Sequence, residues 1–520
     1  DHLLAKGKGQ MINAPYPHCV MTSREGRRPS LLLDFGREIQ GGVQIVTAGI
    51  TGHKPARVRV RLGESASEAM CEITPESGAT NDHAMRDYVM YLPWYGVSET
   101  GNSGFRFVRI DLLEDDVVVP VQEIRAKFTY RDIPYLGSFR SSDPRLDSIW
   151  MTGAYTVHLN MQDYLWDGIK RDRLVWMGDA HPELCTMLAV FGDNEVMKKT
   201  LDQARDQTPL PGWMNGICAY SLWWALIHHD YYMYTGDLDY LREQQSYMNA
   251  LFDMAAGMVD GQGREHMTGA GRFLDWPTSR DRKAVDAGLH ALLLMTFDAG
   301  IRMAGALGDT ALAAKCSSAA ERMRKVTPDY ATTKQSAALA ALAGLVVNEE
   351  VLKKGGVEGF STFYGYYMLQ AKAKAGDYAG AIDNIDTYWG AMLDLGATTF
   401  WEDFDIKWLD NAARIDELVP EGKVDVHRSY GDFCYKGFRH SFCHGWASGP
   451  TAWLSEHVLG ISIVEPGCKA VRVRPHLGGL QWAEGTFPTP YGVISVRHER
   501  QGDGTVKSKI SAPKGVKIVR

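Results

Sequence analysis

The sequence predicts a protein of several domains, in which a central toroid of helices is flanked by antiparallel β-sandwiches at its N-terminal and C-terminal ends. Three observations support this fold class. The chain has 520 residues, too many for one hydrophobic core, and this length predicts two to four domains. Short alternating or apolar segments typical of strands occur near both ends. Through the middle of the chain the apolar residues follow helical spacing instead.

The N-terminal region, residues 1–135, is predicted to form a β-sandwich. It contains short alternating or apolar segments broken by Gly, Pro and Asp, namely SLLLDFG, GGVQIVTAGI, ARVRVRLGE, GFRFVRIDLL and VQEIRAKFTY. In ARVRVRLGE the alternation is strict, so one face is apolar and the other carries arginine. Several short strands with turn signals between them are typical of an antiparallel sandwich.

The central region, residues 136–460, is predicted to be helical. Its first segment, SSDPRLDSIWMTGAYTVHLNMQDYL, opens with Ser-Asp-Pro, a good helix start, and continues with helical spacing. Many later segments end in Gly-Asp, the expected glycine after a helix followed by a turn residue. Successive helices with short loops indicate an (α/α) toroid. An irregular bundle or an α-solenoid is the alternative, but solenoid repeats would be self-similar, and the sequence shows no such repeat.

Strands return in the C-terminal region, residues 461–520. The segments are KAVRVRPHLGG, WAEGTFPTPYG, VISVRHERQGDG, VKSKISAP and VKIVR. They predict a second, smaller antiparallel β-sandwich.

Composition argues against several classes of protein. The net charge is −7 and no basic run stands out, so no nucleic-acid partner is expected. No apolar run approaches the length of a membrane span, so no membrane insertion is expected. The eight cysteines form no CxxC and no Cys/His cluster with zinc spacing, so no metal site is expected. The opening DHLLAKGKGQ resembles neither a signal peptide nor an amphipathic anchor, but a trimmed chain would have lost one.

The aromatic content allows two interpretations. The chain has 14 Trp and 23 Tyr. Aromatic rings cover the apolar C–H faces of sugars while neighbouring carboxylates and amides bind the hydroxyl groups. Well-filled hydrophobic cores would explain the same composition.

The segment WDGIKRDRLVWMGDAH, residues 166–181, mixes six charged residues with two tryptophans. In a helix, Asp172, Trp176 and Asp179 would stand at i, i+4 and i+7 and share one face. Two glycines in the segment make a loop equally possible. The mixture is typical of a pocket that holds a polar ligand with an apolar face. The alternative is an Asp–Arg ion-pair network that joins two helices.

A second mixture of carboxylates and aromatics occurs in GATTFWEDFD, residues 396–405, which contains Glu402. Two such mixtures in one domain indicate a shared pocket. Cleavage of a glycosidic bond needs one carboxylic acid to protonate the leaving oxygen and one carboxylate to activate water. FLDW, residues 273–276, repeats the Asp–Trp pairing, and RHSFCHGW supplies His444. Each of these smaller motifs taken alone is more often structural.

In this order and at these intervals, the motifs resemble glycoside hydrolase family 78, the α-L-rhamnosidases, over nearly the whole chain. The family pattern D-x-x-x-R-D-E-R-L-G-W-T-G-D-A-Q is similar to Asp167 followed by RDRLVWMGDAH, and T-T-I-W-E-R-W-D is similar to TTFWEDFD. The family's G-D-W, its S-L-N-H and its closing Arg-Pro strand correspond to LDW (274–276), SFCH (441–444) and VRPH (473–476).

The resemblance implies an (α/α)6 barrel flanked by β-sandwiches and an exo-acting, inverting glycoside hydrolase without cofactor or metal. Its substrate would be an oligosaccharide or glycoside, of plant or microbial origin, from which it releases terminal α-L-rhamnose or a closely related deoxysugar. The family also implies a protein that acts as a monomer or homodimer in the periplasm or outside the cell.

The resemblance assigns roles to ten residues. Glu402 takes the place of the catalytic base, and Asp172 that of the catalytic acid. The sugar-binding candidates are Asp167, Arg171, Trp176, Asp179, Asp275, Trp276, Trp401 and His444.

The sequence departs from the family at the catalytic acid. The family's acidic Glu aligns with Asp172, and the spacing back to Asp167 is one residue shorter. Either Asp172 is the acid on a different backbone path, or Asp179 has taken the role, or the sugar differs. An inverting pair would stand roughly 6.5–9.5 Å apart. Arg171 and Arg173 would lower the pKa of Asp172, so they are expected to point away from it or to be neutralised by other carboxylates.

Two other classes of protein remain open at this point. A non-catalytic carbohydrate-binding protein would keep the aromatic residues without needing Asp172 and Glu402 to face each other. A polysaccharide lyase on a similar toroid would use Tyr and His and release an unsaturated sugar.

Overall fold

The computed structural model describes residue 3, residues 18–74 and residues 86–519. Parts of the predicted first domain, residues 1–2, 4–17 and 75–85, lie outside the described residues, as does residue 520. The described chain has helices in its centre and antiparallel sheets at both ends. This arrangement confirms the predicted fold class at that level. The domain boundaries at 135/136 and 460/461 stay predictions.

The N-terminal region forms one seven-stranded sheet in the order β1-β7-β2-β6-β3-β4, with β5 paired to the end of β2. All described pairings in it are antiparallel. The elements are β1 (Cys19–Thr22), β2 (Ser30–Thr47), β3 (Ala56–Gly63), the short helix α1 (Ala66–Met70), β4 (Asp87–Leu92), β5 (Gly96–Glu99), β6 (Ser103–Leu112) and β7 (Val118–Phe128).

Strand β3 shows how the alternating sequence ARVRVRLG is used. Val58 and Val60 are fully buried in the core of this sheet. Arg59 lies on the other face and pairs with Asp87 at 2.7 Å. Arg61 is also buried, at 3% exposure, because its guanidinium is neutralised by Asp111 at 2.6 Å and by a second carboxylate. Ion pairs therefore cover Arg59 and Arg61 on this face, while Arg57 is exposed to solvent.

The central region contains helices and loops, and no strand occurs among the described residues between Ser141 and Ile461. The helices are α2 (Pro144–Asn160), α3 (Ala180–Val190), α4 (Glu195–Asp206), α5 (Cys218–Thr235), α6 (Leu238–Gly257), α7 (Arg282–Leu307), α8 (Thr310–Met323), α9 (Lys334–Leu342), α10 (Glu349–Lys353), α11 (Gly365–Lys374), α12 (Tyr378–Asp394), α13 (Val426–Ser429) and α14 (Gly449–Trp453).

The predicted helix boundaries depend on capping, and the structure confirms them at α2 and at two Gly-Asp pairs. The Asp143 carboxylate accepts a hydrogen bond from the amide of Arg145 at 2.9 Å and so caps α2. Gly236 and Gly308 end α5 and α7 in the left-handed conformation, with φ of 68° and 71°. The aspartate that follows each glycine caps the next helix, α6 or α8.

Helix α7 is the most apolar long helix of the described chain. By length and composition alone it could cross a membrane, but 78% of its most apolar stretch is buried inside the protein. A helix that is apolar on all sides and covered by other helices is typical of a core element.

The C-terminal region forms two small sheets. Strands β9 (Ile461–Ile463), β10 (Ala470–Val473) and β14 (Lys517–Val519) make a three-stranded sheet, in which β10 and β14 run parallel. This pair departs from the predicted purely antiparallel arrangement, because the last strand returns beside β10 after a long excursion through the other sheet.

The second C-terminal sheet has four antiparallel strands in the order β13-β12-β11-β8. Strands β11 (Trp482–Thr489), β12 (Gly492–Arg500) and β13 (Val506–Ser511) come from the C-terminal region, but β8 (Ser138–Ser141) comes from the segment just before α2. Ser138 is the register partner of Thr486, and Ser141 of Ala483. The start of the helical region is therefore hydrogen-bonded into the C-terminal sheet.

Candidate active site

A cavity of about 370 Å³ lies among the loops that precede α3, α5 and α7 and the segments that follow α12. Eight of the ten predicted site residues line it, which are Asp167, Arg171, Asp172, Trp176, Asp179, Trp276, Glu402 and His444. The other lining residues are Asn215, Ile217, Tyr220, Gly271, Arg272, Phe273, Cys434 and Trp446. The two carboxylate–aromatic mixtures of the sequence, more than 200 residues apart, thus meet in one place.

The residues between Asp167 and Leu174 form a loop that is closed at its base. The amide of Asp167 donates to the carbonyl of Leu174 at 3.0 Å, and the amide of Leu174 donates to the Asp167 carboxylate at 2.9 Å. Asp172 and Arg173 are left-handed, with φ of 57° and 54°. Because this conformation breaks helical geometry, residues 172–179 form a loop and helix α3 begins only at Ala180.

Asp179 joins the start of α3 to two other parts of the cavity. One carboxylate oxygen accepts from the Tyr220 hydroxyl at 3.2 Å, and the other lies 3.0 Å from Nε2 of His444. Burial raises the pKa of Asp179 to about 8, although the Tyr220 hydrogen bond opposes the shift. Burial also lowers the pKa of His444 to about 4. At neutral pH the histidine is therefore neutral, and Asp179 keeps its proton in a large fraction of molecules.

Glu402 is held on both sides of its carboxyl group. One oxygen contacts the Arg171 guanidinium, and the other accepts from the amide of Ser441 at 3.2 Å. Burial raises the pKa of Glu402, while the charge of Arg171 and then that of His444 oppose the shift. Arg171 is thus neutralised by Glu402, as expected, and Arg173 donates to the backbone carbonyl of Asn102 at 3.4 Å.

Asp167 is the least solvated carboxyl of the loop, at 2% exposure. Burial raises its pKa well above the ordinary value, and the nearby charges of Asp179 and Asp172 raise it further. The cavity therefore gathers four carboxyl groups that compete for negative charge, with Arg171 as the cation in contact with one of them.

Aromatic rings form the apolar walls of the cavity. Trp176 meets Tyr220 edge to face at 6.2 Å between ring centroids, and Trp276 stacks on Phe433 at 5.5 Å. Trp446 lies against the His444 ring at 4.5 Å. Tyr220 and Trp446 were not predicted as site residues, because neither stands beside a carboxylate in the sequence.

Two predicted sugar-binding residues do not line the cavity. Both Asp275 oxygens accept hydrogen bonds from protein groups, one from Thr278 at 2.6 Å and the other from Ser361 at 2.7 Å and Gln335 at 2.9 Å. Its carboxylate therefore ties the loop before α7 to the starts of α9 and α11. Trp401 is fully buried and stacks on Phe442 at 4.2 Å. The residues that hold Asp275 and Trp401 away from the cavity, among them Gln335, Ser361 and Phe442, are distant from them in the sequence.

The arrangement suits acid–base chemistry on a small polar ligand. Among the described residues, two groups of side chains have spacing that could hold a metal ion, and neither belongs to this cavity. The cavity instead offers two arginines, aromatic walls and carboxyls, of which Asp167, Asp179 and Glu402 have raised pKa values. These groups can donate and accept protons where water is partly excluded.

Comparison with known proteins agrees with this geometry. Residues 134–458 match the bacterial α-L-rhamnosidase six-hairpin glycosidase domain, and residues 460–519 match the bacterial α-L-rhamnosidase C-terminal domain. An α-L-rhamnosidase of Alteromonas sp. (strain LOR) is 26% identical over 474 residues, which cover 79% of this chain and 48% of that protein. The chain thus spans about half the length of that curated relative.

Two solved structures share the fold. The family 78 rhamnosidase of Bacillus sp. GL1 superimposes with a TM-score of 0.79 at 22% identity, covering 98% of this chain and 54% of that one. A Klebsiella oxytoca rhamnosidase, solved with rhamnose bound, gives a TM-score of 0.68 at 20% identity, covering 84% of this chain and 88% of that one. The first family match spans more than half of the sequence. The chain therefore belongs to glycoside hydrolase family 78, the family of the bacterial α-L-rhamnosidases.

Proposed function

We propose that the protein is an exo-acting, inverting glycoside hydrolase that releases terminal α-L-rhamnose, or a closely related deoxysugar, from oligosaccharides or glycosides. One observation carries the proposal. Asp172 and Glu402, more than 200 residues apart in sequence, line one cavity together with Trp176 and Trp276, in a chain of this family.

We further infer that the central helices close into an (α/α)6 toroid. Helices α3, α5, α7, α9, α11 and α14 each pack against the next, and α14 packs back against α3. Another helix precedes each of these six in the chain. The resulting hairpins are α2/α3, α4/α5, α6/α7, α8/α9, α10/α11 and α12/α14. The cavity would then occupy the end of the ring at which α3, α5 and α7 begin, where the N-terminal ends of helices favour negative groups.

In the proposed mechanism Asp172 is the general acid and Glu402 is the general base. Arg171 and the Ser441 amide fix the Glu402 carboxylate, so its position is set before a water molecule binds. Asp172 protonates the leaving oxygen while Glu402 removes a proton from the attacking water on the opposite face of the sugar. The carboxyl separation of roughly 6.5–9.5 Å that this chemistry needs stays a prediction.

Asp179 is the alternative acid, and its contacts favour a different role. Both of its oxygens are already engaged, by Tyr220 and by His444. An acid must release its proton to the leaving oxygen, which the contacts of Asp179 with Tyr220 and His444 oppose, and the acid of the family aligns with Asp172 instead. We therefore assign Asp179 to substrate positioning together with Asp167.

Several buried polar atoms at the cavity have no hydrogen-bond partner in the described structure. Trp176 Nε1 and His444 Nδ1 are two of them. A buried donor or acceptor without a partner costs about 1–3 kcal/mol, which a bound hydroxyl group would recover. Sugar hydroxyls supply such partners, and the rings of Trp176 and Trp276 would cover the apolar face of the sugar.

The test is to incubate the purified chain with 4-nitrophenyl α-L-rhamnoside and with the matching α-L-mannoside and α-L-fucoside, and to follow the first-formed sugar by NMR. We expect preferential release of rhamnose, with the β anomer appearing first. An α anomer as first product would exclude inversion. If these glycosides stayed intact, an unsaturated product from a uronic-acid oligosaccharide would identify a lyase, and binding without any turnover would identify a carbohydrate-binding protein.

A further inference from the structure

A second pair of cavities lies along the helices, away from the carboxylate cavity. They have volumes of about 310 and 470 Å³ and share His229, Asp230 and Glu456 among their lining residues. Asp230 is ten residues beyond Tyr220 on α5, so it stands roughly 15 Å further along the helix axis than the residue that contacts Asp179. The proposed hydrolase mechanism does not use this region.

Three side chains of different chemistry converge there. His181 and Cys185 stand at i and i+4 on α3 and share one face of that helix, and Asp230 reaches the same place from α5. One ligand atom from each lies within 4.8 Å of the other two. Nitrogen, thiolate and carboxylate oxygen are the donor atoms that Zn²⁺ takes in proteins, and helical i, i+4 spacing presents two of them together.

A comparable cluster elsewhere already has a cation of its own. Glu64, Glu68 and His427 also lie within metal-binding distance of one another, but the Lys170 ammonium stands 2.9 Å from Glu64 and 3.2 Å from Glu68. In the His181 cluster the described structure shows no lysine or arginine in contact with Asp230. Arg302 lines both cavities but forms no ion pair with Asp230 in the described structure, so a metal ion would give this carboxylate a direct cationic partner.

The neighbours of the cluster orient it as a metal site requires. The Tyr367 hydroxyl lies 2.9 Å from Nδ1 of His181, which leaves Nε2 to face Asp230 at 3.0 Å. His229 holds the other oxygen of Asp230 at 2.7 Å. Outer partners of this kind fix the ring orientation and the carboxylate of metal ligands. His229 is itself nine-tenths buried, and its Nε2 has no partner within the described chain.

We propose that His181 Nε2, Cys185 Sγ and Asp230 Oδ2 bind one Zn²⁺, with a water molecule from the cavity as fourth ligand. The ligand atoms of a tetrahedral zinc site stand roughly 3.3–3.7 Å apart, given zinc bonds of about 2.0–2.3 Å. Small side-chain rotations would bring the three atoms to that spacing. Binding would release the thiol proton of Cys185 to solvent, and His181 would carry its remaining proton on Nδ1, which donates it to the Tyr367 oxygen. The ion would join α3, which carries Asp179 at its start, to α5.

No metal site was predicted from the sequence, because it contains no ligands at zinc-finger spacing. His181 and Cys185 belong to one helix, but the third ligand comes 45 residues later. Only the packing of α3 on α5 brings the three together.

The test measures zinc on the full chain. The protein is stripped with a chelator, titrated with Zn²⁺ against a chromophoric chelator, and analysed for metal content. We expect one zinc per chain and a higher thermal midpoint with zinc. Cobalt in place of zinc should give a thiolate-to-cobalt absorption band. A content below about 0.1 zinc per chain, or a cobalt spectrum without that band, would overturn the proposal.

Variants then identify the ligands. Cys185→Ala and Asp230→Asn should each weaken zinc binding at least about 100-fold and abolish the thermal shift. Cys316→Ala, in the buried part of α8, and Asp298→Asn, which lines one of the same cavities but pairs with Arg324, should bind zinc as the parent does. Equal zinc affinity in the parent and in Cys185→Ala would contradict the assignment. If Cys185→Ala does not fold, the parent is alkylated with and without zinc. Slower alkylation of Cys185 in the presence of zinc would support its role as a ligand, and an unchanged rate would contradict it.

Discussion

Two clusters of buried charge in this protein use acidic residues in opposite ways. At the contact between the N-terminal sheet and the helices, the Lys170 ammonium is surrounded by Glu64, Glu68 and two backbone carbonyls, those of Phe438 and His440. In the carboxylate cavity, Asp167, Asp172, Asp179 and Glu402 line open space, and the Arg171 guanidinium contacts Glu402.

The difference lies in what fills the centre of each cluster. The first cluster encloses a cation of the chain itself, so its charges stabilise one arrangement of the backbone. The second encloses a cavity of about 370 Å³, and burial raises the pKa of Asp167, Asp179 and Glu402. Carboxyl groups with perturbed pKa values that line a cavity are typical of a site that acts on a ligand.

The two clusters are coupled through one short segment. Glu64 accepts from the amide of Phe442 at 2.7 Å, and the neighbouring amide of Ser441 donates to Glu402. Lys170 directly precedes Arg171, which contacts Glu402. The N-terminal sheet therefore helps to position the proposed base. Substitutions in the carboxylate cavity should mainly lower turnover, and substitutions in the Lys170 cluster should mainly lower the free energy of unfolding.

The largest expected effect is on turnover. Glu402→Gln and Asp172→Asn should each lower kcat by about 10²–10⁴-fold, because each removes a proton-transfer group without a change in size. The measurement is kcat on an α-L-rhamnoside with an alcohol leaving group, which needs protonation as 4-nitrophenolate does not, with sugar binding followed separately by calorimetry. Glu421→Gln, in an exposed loop, serves as the matched control.

The same variants decide which aspartate is the acid. If Asp172→Asn kept near-normal activity while Asp179→Asn lost it, the acid role would pass to Asp179.

The next effect is on stability and concerns the first cluster. Lys170→Met should lower the free energy of unfolding by about 3–5 kcal/mol, because two buried carboxylates lose their shared cation. Urea denaturation followed by circular dichroism measures it. Lys199→Met removes an exposed i, i+4 pair with Glu195 and should cost about 0.5 kcal/mol or less. Equal losses in the two variants would show that the Lys170 cluster contributes little.

A smaller effect is the pH dependence that Asp179 contributes. Its pKa is about 8 in the folded protein, above the ordinary value, so the folded state holds the proton more tightly than the unfolded chain does. The stability from this group is full at low pH and is lost as pH rises through about 8, with a slope of up to about 1.4 kcal/mol per pH unit. Urea midpoints at pH 6 and pH 9 measure it. Asp179→Asn should show a flatter profile, and an unchanged slope would refute the shift.

The smallest expected effect concerns the aromatic wall. Trp276→Ala should raise KM roughly tenfold with a smaller change in kcat, because the ring contacts the sugar in ground state and transition state alike. Steady-state kinetics measure both constants. Trp94→Ala, at an exposed tryptophan of the N-terminal region, should leave them unchanged.

Local patterns were sufficient to predict much of this molecule. Strict alternation identified β3, and Ser-Asp-Pro and the Gly-Asp pairs marked helix boundaries, because each signal is complete within a few residues. The motifs around Asp167 and Glu402 supplied six of the eight predicted site residues that line the cavity, and FLDW and RHSFCHGW supplied Trp276 and His444.

The remaining features depend on partners distant in the sequence. Asp275 sits beside Trp276 in a motif that suggests sugar contact, but Gln335 and Ser361, 60 and 86 residues away, take up its carboxylate. Trp401 adjoins Glu402, but stacking on Phe442 turns it into the core. The sequence could not decide between a helix and a loop at Asp172. The left-handed backbone there makes it a loop, and the residue types allow that conformation without requiring it.

Strand β8 has a consequence for the order in which the molecule can be completed during synthesis. Its partner β11 leaves the ribosome some 340 residues later, so until then the backbone groups of Ser138–Ser141 have no sheet to join. A chain truncated after Leu459 would keep that edge permanently unpaired, and an unpaired edge recruits strands from other molecules. Expression of the helical region alone therefore requires removal of β8 or a second charged residue beside Arg140, whereas the C-terminal sheet alone would lack its fourth strand.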